Sequence, residues 1–372
     1  MARRGYDEEV LVTGFPSFRA RKMVEHLLAA EPKTLVHVLV KPQFETEAAR
    51  AVGGLPPEQR KRLVCLAGDA ASMDLGLSGK EYRELAGAVD RFHHVAQITY
   101  PGAEREVAEQ LNVGGAREVV EFARYAKQLQ SVVVHSSAVV SGNRTGVVRE
   151  DELVMGQTFR TPVEETLARA ERLLGRYSSE LPIVIVRPTQ IVGDSRTGEV
   201  DSFDGPYMLI LLIVGAPQDL PVPLPTRGDA PMNLVPIDYV VRAAHRIGRR
   251  ADARGRTFHI ADPRPLTVRR VFELVANAGG KRLPGGFIPT NITKALLSAP
   301  GVHLVSKSPR AFVDLLSTPV RYDTTNADAA LAGSAIDCPP FEDYVDALVA
   351  YVKKRVAERR QGDGAEAEDA LL

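Results

Sequence analysis

The N-terminal half of the chain alternates short apolar, β-branched runs with stretches of helical period. Such runs are "LVHVLV" at 35–40 and "SVVVHSS" at 131–137, and an amphipathic stretch, "NVGGAREVVEFARYAK" at 112–127, precedes the second. Strands that are apolar throughout are buried on both faces, which is typical of a parallel sheet covered by helices. With right-handed crossovers, this order predicts an α/β fold with a doubly wound parallel sheet.

The pattern loosens after about residue 195. We predict a dinucleotide-binding Rossmann core over residues 8–195, with returns to its sheet at about 232–262 by the segments 232–247 and 256–262, and a smaller interwoven C-terminal substrate lobe made of 196–231 and 263–355. The segment 292–316 could form amphipathic helices, and packing in this lobe is the favoured reading over contact with a membrane. Residues 360–372 are acidic and without periodicity, which predicts a disordered tail.

Charge, cysteine content and the length of apolar runs argue against nucleic-acid-binding, disulfide-rich and membrane-spanning classes of protein. Lys plus Arg and Asp plus Glu both number 47, so no electrostatic footprint for nucleic acid is expected. The two cysteines, Cys65 and Cys338, and the absence of a signal-peptide pattern predict a cytoplasmic protein without disulfides. The most apolar run, residues 207–217, is too short to span a bilayer, so no transmembrane segment is expected.

The stretch "VLVTGFPSFRARKMVEHLL" has the strand–turn–helix order of a dinucleotide-binding loop. In a T-G-x-x-G-x-x-G register, Gly14 keeps the first glycine, while Ser17 and Ala20 replace the second and third. Alanine is a mild change, but the Ser17 side chain stands where a diphosphate should pass. The helix N-terminus still favours an anion, so weak nucleotide binding and a packed turn without ligand both remain open.

Two residues at the ends of the next strands bear on the cofactor. Lys41, in "LVKPQ", stands where an acidic residue would bind a ribose 2′-hydroxyl, and a cation there suits a 2′-phosphate. The sequence therefore favours NADP(H) over NAD, with a solvated lysine as the alternative. Asp69 could contact an adenine amino group or cap the following turn.

Seven motifs occur in order across residues 9–262: "VLVTGF", "GDAASMDLGLS", "HHVAQ", "LNVGGAREVVEFA", "VVHSSAVVSG", "VIVRPTQIVGDSRTG" and "MNLVPIDYVV". With them the chain resembles the extended short-chain dehydrogenase/reductases, in particular the branch of thioester reductase domains and fatty acyl-CoA reductases. The cofactor-binding residues that follow from the loop, the strand ends and this resemblance are Thr13, Gly14, Ser17, Phe18, Arg19, Ala20, Lys41, Asp69, Ala96, Arg187 and Pro188.

The resemblance also implies a catalytic set. Asn112 matches the asparagine that supports a proton-relay water, and Ser137 matches the serine that orients the carbonyl. In the helix "TPVEETLARAERLL", "ARAE" fixes the Y-x-x-x-K-x-x-A-E register and puts Val163 and Leu167 at the tyrosine and lysine positions. The tyrosine delivers the proton and the lysine lowers its pKa. Hydrocarbon can do neither, and a general acid is worth ~10²–10⁴-fold in rate.

Two hypotheses follow, of which the first is favoured and the second is the alternative, and whether the protein is an enzyme stays open. In the first, it is a pseudoenzyme that keeps the NAD(P)-binding fold, with NADP(H) bound weakly or not at all, and acts in binding, sensing or scaffolding. In the second, it is an NADP-dependent reductase of acyl thioesters or another carbonyl with an unusual proton donor, for which Tyr100 is a candidate. A nucleotide or acyl ligand, an unidentified protein partner and a homodimer are compatible with both. No metal site is expected, because His93 and His94 lack further ligands at suitable spacing.

Overall fold

The computed structural model describes residues 5–215, 227–281 and 316–361. The predicted amphipathic segment 292–316 lies outside these ranges except for its last residue. The predicted tail 360–372 lies outside them except for its first two residues.

The strands are numbered in chain order. They are β1 (Glu8–Thr13), β2 (Thr34–Val40), β3 (Leu63–Ala67), β4 (Arg91–His94), β5 (Ser131–His135), β6 (Gly146–Val148), β7 (Ile183–Pro188), β8 (Gln190–Val192), β9 (Pro231–Met232), β10 (Leu234–Pro236), β11 (Thr257–Ile260), β12 (Leu266–Thr267) and β13 (Val320–Tyr322). Seven of them form one sheet in the order β3–β2–β1–β4–β5–β7–β11, and every pairing in it is parallel. This confirms the predicted doubly wound sheet. The order reverses between β1 and β4, which opens a crevice at the carboxyl ends of the strands.

The helices are likewise numbered in chain order. They are α1 (Phe18–Ala30), α2 (Glu45–Gly53), α3 (Pro57–Arg60), α4 (Gly79–Ala86), α5 (Arg105–Ala108), α6 (Gly115–Tyr125), α7 (Pro162–Gly175), α8 (Pro206–Gly215), α9 (Ile237–Gly248), α10 (Val268–Gly279), α11 (Thr325–Leu331) and α12 (Val345–Gln361). A π-helical turn, Glu109–Gly114, joins α5 to α6. Within the described ranges, no helix combines the length and apolar composition that crossing a bilayer requires.

The core lies on both faces of the sheet, which explains why its strands are apolar throughout. Side chains alternate across β1, so that Val10 and Val12 join the cluster under α1 and α9 while Leu11 joins the cluster under α6 and α7. A third cluster joins α8, α10 and α12, with Ile213 and Phe272 among its buried members. The apolar run at 207–217 contributes the buried side chains of Tyr207, Ile210 and Ile213 to this cluster.

The segment 232–247 was expected to return to the sheet, but it contributes a helix instead. Its short strands β9 and β10 pair with β12 and β8, outside the central sheet. The helix α9 begins at Ile237 and packs Val240, Ala244 and Ile247 into the cluster that it shares with α1. These spacings of three and four are a helical period, so the local pattern itself indicates the outcome. The second expected return, β11, does extend the sheet beside β7.

A strand from the C-terminal part of the chain pairs with a strand from the middle of the chain. β13 pairs in parallel with β6, and Tyr322 lies opposite Val148 in this pair. Just after β6, the buried carboxylate of Glu150 accepts hydrogen bonds from the backbone amides of His259 (2.8 Å), Asn326 (2.5 Å) and Ala327 (3.1 Å). Three separate segments are therefore joined at one buried carboxylate.

Four histidines, three of them buried and His26 half-buried, form two pairs along the face of the sheet that α1 and α9 cover. The His93 and His135 rings are 3.2 Å apart between nitrogens, and the His26 and His245 rings are 3.0 Å apart. Burial lowers the pKa of His135 and of His245 to about 3, and that of His26 to about 4. At neutral pH these imidazoles are therefore uncharged. In the described part of the chain, no three histidine, cysteine, aspartate or glutamate side chains come together in a way that could hold a metal ion.

Candidate nucleotide site

A large cleft lies at the carboxyl ends of β1 and β4, where the strand order reverses. Its volume is about 1180 Å³, and the loop after β1, the ends of β2 and β3, and the loop after β4 form its walls. This is the position at which open α/β sheets bind ligands. The predicted cofactor residues that line it are Gly14, Ser17, Phe18, Arg19, Lys41, Asp69 and Ala96. The fold thus brings these residues, spread over more than eighty positions, to one cleft.

Gly14 allows the loop to pass close to the neighbouring strand end. Its φ of +87° lies in the left-handed region, and a Cβ there would come within 3.0 Å of backbone atoms of Ala96. Any side chain would therefore push β1 and β4 apart at the base of the cleft. The glycine requirement comes from backbone conformation as well as from close approach.

The two replaced glycines behave differently. Ser17 is the N-cap of α1 and is exposed, and its side chain makes no capping hydrogen bond. The hydroxyl therefore stands at the surface of the loop, on the wall of the cleft. Ala20 is fully buried and packs in the core beneath the loop, so the methyl group is accommodated away from any ligand.

Lys41 and Asp69 face each other across the far end of the cleft. The Lys41 ammonium lies 3.0 Å from the Asp69 carboxylate, and both side chains are partly exposed. Asp69 also accepts a hydrogen bond from the amide of Ala71, as an Asx-type turn does. The structure therefore joins the two residues that the sequence suggested for the ribose and adenine ends, and pairs their charges.

Three predicted site residues are buried in hydrogen-bond networks that brace the site. The Thr13 hydroxyl is fully buried, 3.1 Å from Nδ1 of His94, and accepts hydrogen bonds from the amides of Val95 and Ala96. The Asn112 amide bonds both backbone groups of Ile98 and donates to the Thr166 hydroxyl at 3.0 Å. It thereby ties the loop after β4 to α7.

Arg187 is the third of these residues, and it points away from solvent. It is 2% exposed, and its guanidinium binds the carboxylate of Glu171, with the shortest contact at 2.7 Å. The Glu171 carboxylate also accepts a 2.5 Å hydrogen bond from the Ser136 hydroxyl. The neighbouring Pro188, in contrast, reaches the surface of a second cleft.

This second cleft, of about 240 Å³, adjoins the first. Ser137, 8% exposed, lies on its wall beside Pro188. Tyr322 from β13 lines it too, with its hydroxyl 3.1 Å from that of Ser141. Among the tyrosines of the described residues, Tyr322 rather than Tyr100 lines this cleft.

The positions of the expected tyrosine and lysine lie inside hydrocarbon. Val163 is 1% exposed and Leu167 is fully buried, and they pack with Ala108, Val140 and Ala168. Thr161 caps the helix that carries them by accepting a hydrogen bond from the amide of Glu164. Neither side chain can donate a proton or bind a ribose hydroxyl.

Sequence reasoning missed Glu171 and Tyr322 as residues of the site. Glu171 is the last residue of the "ARAE" stretch that set the motif register of α7. An acidic residue on the buried face of a helix indicates a buried positively charged partner, which here is Arg187. Tyr322 gave no local signal, because it reaches the second cleft through the pairing of β13 with β6.

A family model described as Male sterility protein, an NAD-binding family, matches residues 12–244, more than half of the chain. The chain belongs to this family. The motifs, the relatives and the fold together make it an extended short-chain dehydrogenase/reductase of the thioester reductase-like branch, as the motifs predicted.

The known proteins to which this chain is similar have low sequence identity to it. A probable fatty acyl-CoA reductase 4 of Arabidopsis thaliana is 23% identical, over 73% of this chain and 70% of its own length. The glycine betaine reductase ATRR of Emericella nidulans is 26% identical over 73% of this chain, but the match spans 22% of that protein. A fatty acyl-CoA reductase 1 of Xenopus laevis is 25% identical over 63% of this chain and 53% of its own length. The chain thus spans about half or less of the length of two of these three relatives.

Solved structures share the fold. The terminal R domain from the myxalamid PKS-NRPS biosynthetic pathway superimposes with a TM-score of 0.80 at 22% identity, covering 95% of this chain and 92% of that domain. The reductase domain of a nonribosomal peptide synthetase from Mycobacterium tuberculosis gives 0.70 at 19% identity, covering 94% and 92%. A UDP-glucuronic acid 4-epimerase from Bacillus cereus, in complex with NAD, gives 0.66 at 16%, covering 93% and 99%.

Proposed function

We propose that the protein binds NADP(H) in the large cleft and works by binding or sensing, as a reductase fold that has lost its proton-donating pair. The observation that carries the proposal is the contrast between the two sites. The nucleotide cleft keeps its glycine turn, its helix N-terminus and a cation at Lys41, whereas Val163 and Leu167 are sealed in hydrocarbon. A nicotinamide cofactor supplies hydride when bound, but a proton must also reach the carbonyl oxygen.

The residues of the chain have defined roles in this proposal. Lys41 binds the 2′-phosphate, Asp69 faces the adenine, and the N-terminus of α1 attracts the diphosphate past the exposed Ser17. The Ser17 side chain crowds that passage and weakens binding. The same proposal includes a cytoplasmic location, with a protein partner or a second copy of the chain as the recipient of the binding signal.

Titration calorimetry with NADPH and NADH tests the proposal. We expect NADPH to bind more tightly than NADH, and Lys41→Met to reduce this preference about tenfold, because one charge-assisted hydrogen bond is worth about 1.5–3 kcal/mol. Lys61→Met, which breaks an exposed ion pair with Glu58 whose two side chains do not line the cleft, is the matched control and should leave both affinities unchanged. Fatty acyl-CoA with NADPH should give no turnover above background.

Two results would overturn the proposal. Absence of NADPH binding at millimolar concentration would remove the nucleotide-binding role. Turnover of acyl-CoA by the unmodified protein would show that another group donates the proton. In that case loss of turnover in Tyr322→Phe would identify the tyrosine of the second cleft as the donor.

The hydrocarbon environment of position 167 can be tested by stability. We expect Leu167→Lys to lower the free energy of unfolding by about 2 kcal/mol relative to Leu167→Met, because a methionine conserves volume while an ammonium enters an apolar cluster. Urea unfolding of both variants measures this difference. Equal midpoints would mean that side chains at position 167 reach the open cleft, and the lysine role would then be sterically available.

A further inference from the structure

Arg19 lies where the two clefts meet, and its side chain lines both. It belongs to the first turn of α1, and Nη2 of its guanidinium donates a 2.6 Å hydrogen bond to the backbone oxygen of Gln97. This contact holds the charged group against the loop after β4. The cation is therefore fixed between the nucleotide loop on one side and the Ser137 wall on the other.

The charge of Arg19 is not neutralised by a carboxylate among the residues that the structure describes. Burial lowers the pKa of Arg19 to about 10, so the group stays a cation at neutral pH. Besides burial, this cation helps to lower the pKa of His94 and of His135, which lie behind it and stay neutral. An unpaired charge in a partly desolvated place is costly, and any ligand at the junction meets its field directly.

A second buried polar group accompanies it. Gln97 is 4% exposed and belongs to the wall of the large cleft, and within the described ranges neither its amide nitrogen nor its amide oxygen has a hydrogen-bond partner. A buried amide without partners is rare and calls for a group that both donates and accepts. A carboxamide, such as the one on a nicotinamide ring, has this pairing.

The direction of the cleft indicates which end of a dinucleotide would reach this junction. With the adenosine end at Lys41 and Asp69, the other end points toward Arg19, Ala96 and the second cleft. We infer that Arg19 makes the cleft selective for the redox state of the dinucleotide, accepting the neutral ring of NADPH and repelling the cationic ring of NADP⁺. The inference rests on the proposed function and names what that site would sense.

The expected selectivity follows from the charges. Two like charges a few ångström apart in a partly water-filled cleft change an equilibrium constant by about tenfold or more. The reduced ring carries no such charge, so Arg19 opposes NADP⁺ and leaves NADPH unopposed. The fraction of the protein with dinucleotide bound would then depend on the ratio of NADPH to NADP⁺.

Dissociation constants of the 372-residue chain for NADPH and NADP⁺ test this inference. We expect the unmodified protein to bind NADPH about tenfold more tightly or better. Arg19→Gln should bring the two constants to within about threefold, chiefly by tightening NADP⁺, and Arg19→Lys should keep the preference because it keeps the charge. Arg21→Gln is the matched control, since Arg21 is on the same helix but is paired with Asp201 at 2.5 Å, and it should change both constants by the same factor.

A fragment without the ring separates charge from shape. 2′-Phospho-ADP-ribose should bind the unmodified protein more tightly than NADP⁺ does, although it makes fewer contacts. If none of the three compounds binds, the proposed function and this inference are overturned together. Equal constants for NADPH and NADP⁺ in the unmodified protein would overturn the inference alone, as would a preference that survives in Arg19→Gln.

Discussion

Replacing Glu171 with alanine should lower the free energy of unfolding by about 3–5 kcal/mol, because it leaves a buried guanidinium without its counter-ion. Arg187 and Glu171 are 2% and 1% exposed, and they are joined by hydrogen bonds of 2.7 and 2.9 Å. The Ser136 hydroxyl would lose its acceptor in the same substitution. Guanidinium chloride unfolding, followed by circular dichroism, measures the loss.

A matched control lies on the same helix. Glu165 pairs with Arg105 at 2.9 Å, but both side chains are partly exposed, so Glu165→Ala should cost about 1 kcal/mol or less. The double variant Glu171→Leu/Arg187→Met should recover much of the loss, because it removes both buried charges. Equal losses in Glu171→Ala and Glu165→Ala would contradict the view that the Arg187–Glu171 pair is buried in solution.

Acidification from pH 7 to pH 5 should destabilise the protein by several kcal/mol. Burial lowers the pKa of His94, His135 and His245 to about 3, and of His259 to about 4, whereas an unfolded chain protonates histidine near pH 6.5. The folded protein therefore binds fewer protons than the unfolded chain over this range. The contribution of these histidines to the free energy of unfolding is fully present above pH 6.5 and decreases as the pH falls below it. At pH 5 the loss is about 2 kcal/mol for each such histidine.

One carboxyl group acts in the opposite direction. Burial raises the pKa of Glu150 to about 7, so the folded protein protonates it before the unfolded chain does and gains some stability on acidification. The histidines outnumber it, and the net effect remains a loss. Urea midpoints at pH 7, 6 and 5 check the sign. His245→Gln should make the dependence shallower, and a midpoint that does not change with pH would show that the imidazoles are hydrated in the folded state.

The sheet could be predicted from the sequence because its signal is local. The apolar runs of β1, β2 and β5 and the helical spacing in α1 and α7 each need only about ten residues of context. The same rule, applied to 232–247, favours the helix that the structure contains, since Val240, Ala244 and Ile247 recur at helical spacing. The predicted return to the sheet was wrong there because β9 and β10 are only two and three residues long and pair outside the central sheet, and a helix follows them.

The sequence was sufficient to predict where the candidate site lies, but not which way its side chains point or which groups they bind. The loop, Lys41 and Asp69 come together as the strand order requires, whereas the direction of a side chain depends on tertiary partners. Arg187 turns inward because Glu171 lies beneath it, and Thr13 turns inward because His94 and two amides need its oxygen. The contact between Arg19 and Gln97 joins residues seventy-eight positions apart and has no sequence signature.

The pairing of β13 with β6 has a consequence for synthesis. The second cleft needs Tyr322 on its wall, and this residue is 181 positions beyond its partner Ser141. During translation the N-terminal strands and helices leave the ribosome first and can assemble the nucleotide cleft early. The wall of the adjoining cleft is completed only after Tyr322 has been synthesised, so the nucleotide cleft, whose lining residues lie between Gly14 and Asp201, can form before the second cleft does.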